Sequence, residues 1–260
     1  MSLTTNANLP WTYDNPPEWH KHYPYANGTC QSPIDIDTLD TIPHMYPPFL
    51  FSSKYYMDHL FTLTNTGQQI KTTLFERIDD DSDDALWFSG SSLPGRFHFV
   101  DFHLHWGHNV RCGSEHEING HRFPAEVHFV YRNRNSEQIA VLAFFFTVVN
   151  DDAHDHSGWK RYTEVVSQLM KTHSTTTCTF NLGQLMPIDN GEFFRYVGSL
   201  TTPPCTEGII WTIFSHTIPI KGKSLNLLRQ NGLRTTYRPT QPLNGRTIFR
   251  NYYSKYDMNL

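Results

Sequence analysis

The sequence predicts a mainly β fold of the α+β class: one domain built on a mostly antiparallel sheet, with a few short surface helices. Three observations carry that expectation. Short β-like runs recur along the whole chain, at 60–63, 97–106, 125–131, 139–149 and 208–218. Turn-forming clusters separate them, at 79–84, 132–136 and 150–158. Helical spacing is scarce. One helix is expected over 159–171, where Trp159, Tyr162, Val166 and Leu169 fall on one face. A second, shorter one is expected after Ser224, ending at Gly232.

The chain has 260 residues, of which 38% are hydrophobic and 18% charged. A chain of this length can bury enough apolar surface to fold without a disulfide. The formal net charge is −4 and no basic run occurs, which argues against nucleic acid as a partner. No apolar stretch reaches membrane-spanning length. The longest, 139–149, is interrupted by Thr147 and reads as a buried strand. Residues 1–10 carry neither a charged start nor an apolar core, so no signal peptide is read there, and they are expected to be flexible. The carboxyl end shows no lipidation signal. With no repeat and no linker, 1–260 reads as a single domain. Cys30, Cys112, Cys178 and Cys205 match no zinc-ribbon or redox spacing. Buried thiols, or one or two disulfides, both remain open on composition.

The chemistry concentrates in histidines. In the run Asp101-Phe102-His103-Leu104-His105-Trp106, alternate residues of a strand face one side. Asp101, His103 and His105 therefore share a face. In Ala125-Glu126-Val127-His128, Glu126 and His128 share a face as well. Two neighbouring strands of this kind aim three imidazoles at one point, and three neutral imidazoles with one open position make a catalytic zinc site. Each segment also places a carboxylate two residues before a histidine, on the same face. A ligand histidine usually gives its second N–H to such a group, which sets its tautomer. A single His-x-His is a weak signal; the repeated carboxylate-x-histidine pattern strengthens it without naming a reaction.

Ordered motifs along nearly the whole chain, from about Trp11 to Arg250, supply the reaction. They are Trp11-x-Tyr13, Gln31-Ser32-Pro33-Ile34-Asp35-Ile36, the strand around His103, Gly113-Ser114-Glu115-His116, Ala125-Glu126-x-His128, Gly198-Ser199-Leu200-Thr201-Thr202-Pro203-Pro204 and Arg238-Pro239-x-Gln241-Pro242-Leu243. In these the sequence resembles the α-class carbonic anhydrases. The resemblance implies a large twisted sheet with one zinc ion at the base of a conical cleft, held by His103, His105 and His128. It implies reversible hydration of carbon dioxide to bicarbonate and a proton, by attack of a zinc-held hydroxide. Thr201 resembles the hydroxyl that orients the attacking oxygen, and Glu115 its hydrogen-bond partner. Asp101 and Glu126 stand behind the ligand histidines. Val130, Val141, Leu200, Ile209 and Trp211 resemble the apolar wall that receives carbon dioxide, and Thr202 borders the same pocket. Secondary esterase activity and sensitivity to sulfonamides follow from the same resemblance.

The sequence departs from the family pattern at three places. Asp101 replaces the glutamine usual behind the first histidine. Gln68 occupies the position where fast members carry a histidine proton shuttle, so slower proton transfer is expected, with His20, His22 or His108 as alternative carriers. Lys71 replaces a smaller polar residue at the pocket rim. Cys30 and Cys205 match the pair that is bridged in secreted members, which implies a disulfide and an extracellular location. Cys112 and Cys178 match nothing in the pattern.

Overall fold

The computed structural model describes residues 11–76, 85–150, 154–188, 191–233 and 235–251. Its strands are β1 (Asp35–Ile36), β2 (Ile42–His44), β3 (Phe49–Phe51), β4 (Asp58–Asn65), β5 (Ile70–Leu74), β6 (Trp87–Gly90), β7 (Phe97–Trp106) and β8 (Glu117–Ile118). They continue with β9 (His121–Arg122), β10 (Ala125–Arg132), β11 (Ile139–Val149), β12 (Thr175–Asn181), β13 (Phe193–Ser199), β14 (Glu207–Lys221) and β15 (Phe249–Asn251). Twelve of them form one sheet with the order β12-β4-β5-β7-β10-β11-β14-β13-β15-β2, to which β3 and β6 are added beside β7. Its pairings are antiparallel except β11 with β14 and β15 with β2, so the sheet is mixed but mostly antiparallel. The three short strands β1, β8 and β9 form a separate small sheet.

Both faces of the large sheet are covered. β11 reads IAVLAFFFTVV, an apolar run without alternation, because its central residues are buried on either side. Its even-numbered members Leu142, Phe144 and Phe146 join one core, packed with Phe102, Phe129 and Trp159. Its odd-numbered members Val141, Ala143 and Phe145 join the other, with Trp211 and Ile213. Phe144 stacks on Phe214 across the parallel pair, with ring centroids 4.5 Å apart.

The helices are fewer and shorter than the sequence suggests. The expected 159–171 helix is α1 (Ser157–Val166). His156 caps its start by accepting the Trp159 N–H. Beyond Val166 the chain tightens: Gln168 and Leu169 donate to the carbonyls three residues back. Leu169 stays buried, so the apolar face continues after the α-helix has ended. A single turn, α2 (Leu182–Leu185), follows β12. The second expected helix is α3 (Gly222–Leu227), starting three residues early. It runs on as a 3-10 turn to Asn231 and stops at Gly232, whose φ of 86° suits glycine. The 132–136 turn forms, with the Asn133 carboxamide oxygen accepting the N–H groups of Asn135 and Ser136 at 3.0 and 3.1 Å. The expected turn at 79–84 and the flexible segment 1–10 lie outside the described residues.

The expected Cys30–Cys205 disulfide is corrected: all four cysteines are free thiols. The two segments do meet, through hydrogen bonds. Glu207 accepts the Cys30 N–H at 2.7 Å and the Gln31 carboxamide at 3.0 Å, and Gln31 also donates to the Cys205 carbonyl at 3.1 Å. Burial pushes the Cys205 thiol up to about 11.

Candidate metal centre

β7 and β10 are antiparallel neighbours, with His103 opposite His128 and His105 opposite Glu126. The pleat therefore puts Asp101, His103, His105, Glu126 and His128 on one face. β5 lies on the other side of β7 and sets Lys71 opposite His103. One nitrogen from each of His103, His105 and His128 lies within 4.8 Å of the other two. All three residues are nearly or fully buried.

The outward nitrogens are committed as donors. His103 Nδ1 gives its N–H to Asp101 at 2.9 Å. His105 Nδ1 gives its own to the Thr236 carbonyl. His128 uses its other ring atom: Nε2 donates to Glu126 at 2.6 Å. That leaves two Nε2 atoms and one Nδ1 atom with lone pairs turned inward. Burial, followed by the neighbouring histidines, holds His105 well below the ordinary imidazole value. Burial also brings His128 down to about 4, against the opposing pull of Glu126. His105 and His128 are thus neutral near pH 7, as metal ligands must be.

Glu115 closes the cluster from below. Its Oε2 lies 3.5 Å from His105 Nε2 and 3.9 Å from His128 Nδ1. His105 Nε2 and Glu115 Oε2 are both buried and have no hydrogen-bond partner. Its other oxygen accepts the Arg238 backbone N–H at 2.8 Å. Burial pushes the Glu115 carboxyl well up, opposed by the Thr201 hydroxyl bonded to it and by Arg238. Three inward imidazole lone pairs beside a Glu115 oxygen form a donor set that fits a small dication.

A second layer holds the first. Glu126 accepts four hydrogen bonds, from the N–H groups of Glu115 and His116 at 2.8 Å each, from His116 Nδ1 at 2.7 Å and from His128. Burial raises its pKa, but the two histidines outweigh burial and hold it well below the carboxylate range. His116 Nε2 then accepts from the Tyr196 hydroxyl at 2.8 Å, and Tyr196 meets Ser32 Oγ at 2.7 Å. Ser32 and Ser199 exchange backbone-to-hydroxyl bonds at 2.9 and 3.0 Å, which pins the loop carrying Thr201. Arg238 reaches Gln31 Oε1 at 2.8 Å and the Ser32 carbonyl at 2.9 Å. The distant sequence motifs are thus parts of one hydrogen-bonded body. His116, Tyr196, Thr236 and Arg238 received no role from the sequence; His116 and Arg238 stood inside quoted motifs, while Thr236 and Tyr196 had no local signal.

The apolar wall assembles from several strands. Val141, Ile209 and Trp211 are buried in one cluster, and Val130 and Leu200 pack against it. Trp211 lies beside the His128 ring, with centroids 4.8 Å apart, and donates its indole N–H to Ser199 O at 2.9 Å. Thr202 is half-buried in the loop after Thr201. Lys71 Nζ lies 3.2 Å from Asp101 Oδ2. Burial raises Asp101, but His103 and Lys71 outweigh it and hold the carboxyl below its usual range. Gln68 sits in the turn between β4 and β5, where its carboxamide donates to the Trp11 carbonyl at 3.4 Å. It lines a cavity of about 490 Å³ with Tyr13, Gly232 and Leu233. His20 and His22 are exposed on the first 3-10 turn or just after it, and exposed His108 lies 3.9 Å from the Cys112 sulfur.

The sheet thus carries a buried three-histidine centre whose donor set could hold a metal ion. Residues 14–252 match the family of eukaryotic-type carbonic anhydrases. The chain is 32% identical to putative carbonic anhydrase 5 of Caenorhabditis elegans, over 95% of this chain and 84% of that one. It is 31% identical to carbonic anhydrase 7 of Mus musculus and 30% identical to carbonic anhydrase 7 of Homo sapiens, each over 92% of this chain and 96% of the relative. The chain belongs to the eukaryotic-type carbonic anhydrase family, a family of zinc-dependent enzymes that hydrate carbon dioxide.

Proposed function

We propose that the chain catalyses reversible hydration of carbon dioxide with one zinc ion held by His103 Nε2, His105 Nε2 and His128 Nδ1. The observation that carries this is the tautomer set: each imidazole has one nitrogen committed as a donor and the other turned to a common point. Zinc, when bound there, is a Lewis acid that brings the pKa of water to about 7, the value characteristic of this enzyme class. The protein does the rest by positioning. Asp101, Thr236 O and Glu126 fix the ring orientations. Thr201 donates its hydroxyl proton to Glu115, so its oxygen is left to accept a hydrogen bond from the attacking water. Val130, Val141, Leu200, Ile209 and Trp211 offer carbon dioxide a dry surface, and Thr202 borders it. Activated esters present a similar electrophilic carbon and are secondary substrates. An aromatic sulfonamide anion fits the same open position and inhibits.

Gln68 cannot change charge and so cannot relay a proton. Turnover is limited at that step more than at attack on carbon dioxide. Stopped-flow hydration with zinc quantified in the same sample tests the proposal. One zinc per chain is expected, and His128→Ala should lose both metal and activity. Full zinc and full activity in that variant would overturn the ligand assignment.

A further inference from the structure

The face of the sheet away from the histidines carries a second cavity. On β14, Ile209 and Trp211 join the wall beside the metal centre, so Ile210 and Thr212 face the other way. On β13, Arg195 and Val197 pair with Thr212 and Ile210 and share that second face. A cavity of about 400 Å³ opens there, walled by Tyr46, Leu93, Val197, Ile210 and Phe249, with Arg195 and Arg246 as its charged members.

Arg195 is an unusual occupant. It is only 7% exposed. Its bonds go to neutral acceptors: the Ser91 carbonyl, Ser91 Oγ at 3.1 Å, and Thr212 Oγ1 at 2.9 and 3.2 Å. A guanidinium has five N–H donors, so one on Nη1 is not used by these four bonds. Among the described residues no carboxylate pairs with it. Aromatic faces supply part of the compensation, with Tyr46 at 4.7 Å and Phe193 at 5.1 Å from the guanidinium carbon. Burial still holds its pKa down to about 10, which records the cost of the charge while leaving it charged at neutral pH. Arg246 likewise donates only to carbonyls, those of Gln31, Pro242, Leu243 and Val197, and lies over the Tyr196 ring at 5.5 Å.

We infer that this cavity is a binding site for a small amphipathic carboxylate, whose anionic head pairs with Arg195 beside Arg246 and whose apolar body fills the space under Val197. Among the described residues neither guanidinium pairs with a carboxylate, which leaves room for an anion, and charge-assisted bonds to a planar carboxylate are the strongest that a guanidinium makes. The mostly apolar lining excludes phosphate or sulfate, which would lose hydration to it without return. The volume falls within the ordinary range for small-ligand sites, about 300–1,000 Å³. Val197, 53% exposed at the mouth, gives access.

Calorimetric titration of the zinc-loaded protein with decanoate tests the site, with decanol as the uncharged control. One decanoate per chain is expected at this site, with decanol much weaker. Arg195→Met should weaken decanoate by about 30-fold or more. Val197→Glu, at an exposed position, should do the same by placing a like charge at the mouth. Carbon dioxide hydration should persist in both, since the metal centre lies on the opposite face. Decanoate held at the metal centre would ignore both substitutions. Unchanged affinity in Val197→Glu, equal affinity for decanol, or no binding to the wild type would each overturn the inference.

Discussion

At the scale of single residues, Asp101 and Lys71 belong together. An aspartate behind a ligand histidine makes the imidazole a better electron donor and the metal a weaker Lewis acid. Taken alone, that raises the kinetic pKa of hydration relative to glutamine. The ammonium of Lys71, 3.2 Å from the carboxylate, works against it. Asp101→Gln should therefore lower the kinetic pKa, and Lys71→Met should raise it, each by about 0.5 pH unit given the solvent exposure of the lysine. Shifts of the opposite sign in pH–rate profiles would reject this reading. Gln68 makes a separate prediction. Gln68→His should raise kcat more than kcat/KM, and small imidazole buffers should partly rescue the unmodified protein. A kcat near the roughly 10⁶ per second of the fast enzymes in dilute buffer, with no response to imidazole, would mean that another group carries the proton.

At the scale of elements, the centre depends on how closely β13, β14 and the segment around Ser32 approach. Gly198 marks one close contact. A Cβ there would run into Ser32 Oγ, with Tyr196 and Trp211 also near. Gly198→Ala should cost about 1–3 kcal/mol, as overpacking of a core does, and disturb the loop that carries Thr201. Denaturant melts alongside hydration rates would show it; an unchanged midpoint would mean the strands can move apart. The β7–β10 pair also sets the acid response. His128 has a folded pKa of about 4 against 6.5 for a free imidazole. Above about pH 6.5 it is neutral in both states. Between 6.5 and 4 the unfolded chain binds a proton that the folded chain refuses, so stability of the metal-free protein falls by roughly 3 kcal/mol from this group. Below about 4 the folded group protonates too and its contribution to the loss ends. Glu126, held well below the usual carboxylate range, adds loss in the same direction at still lower pH. Urea unfolding of the metal-free protein at pH 7, 5.5 and 4 checks the slope, and a flat profile would contradict it.

For the whole molecule, stability comes from two aromatic cores on a twelve-stranded sheet, without a disulfide. Reducing agent should leave the melting temperature unchanged, and thiol titration of the unfolded protein should count four groups. A Cys30–Cys205 peptide in a non-reducing digest would refute that. No helix among the described residues is long and apolar enough to cross a membrane.

Local patterns made the strands at 97–106 and 139–149 readable to the residue, because long alternating or continuous apolar runs leave little choice of register. They also put the three histidines and their carboxylate neighbours on common faces, since the period of a strand is two. The end of α1 was not readable: its apolar face continues through Leu169, although the helical hydrogen bonds stop earlier. The role of Thr236 was equally hidden, because a backbone carbonyl has no sequence signature and reaches His105 from 131 positions away. Parallel pairing of β11 with β14, the Lys71–Asp101 ion pair and the pairing of Arg195 with Thr212 all join segments distant in sequence or side chains on separate strands. The sequence determined which groups are present and which face each takes along its own strand; tertiary structure alone decided which faces meet, because that depends on packing and register between strands that no local pattern encodes.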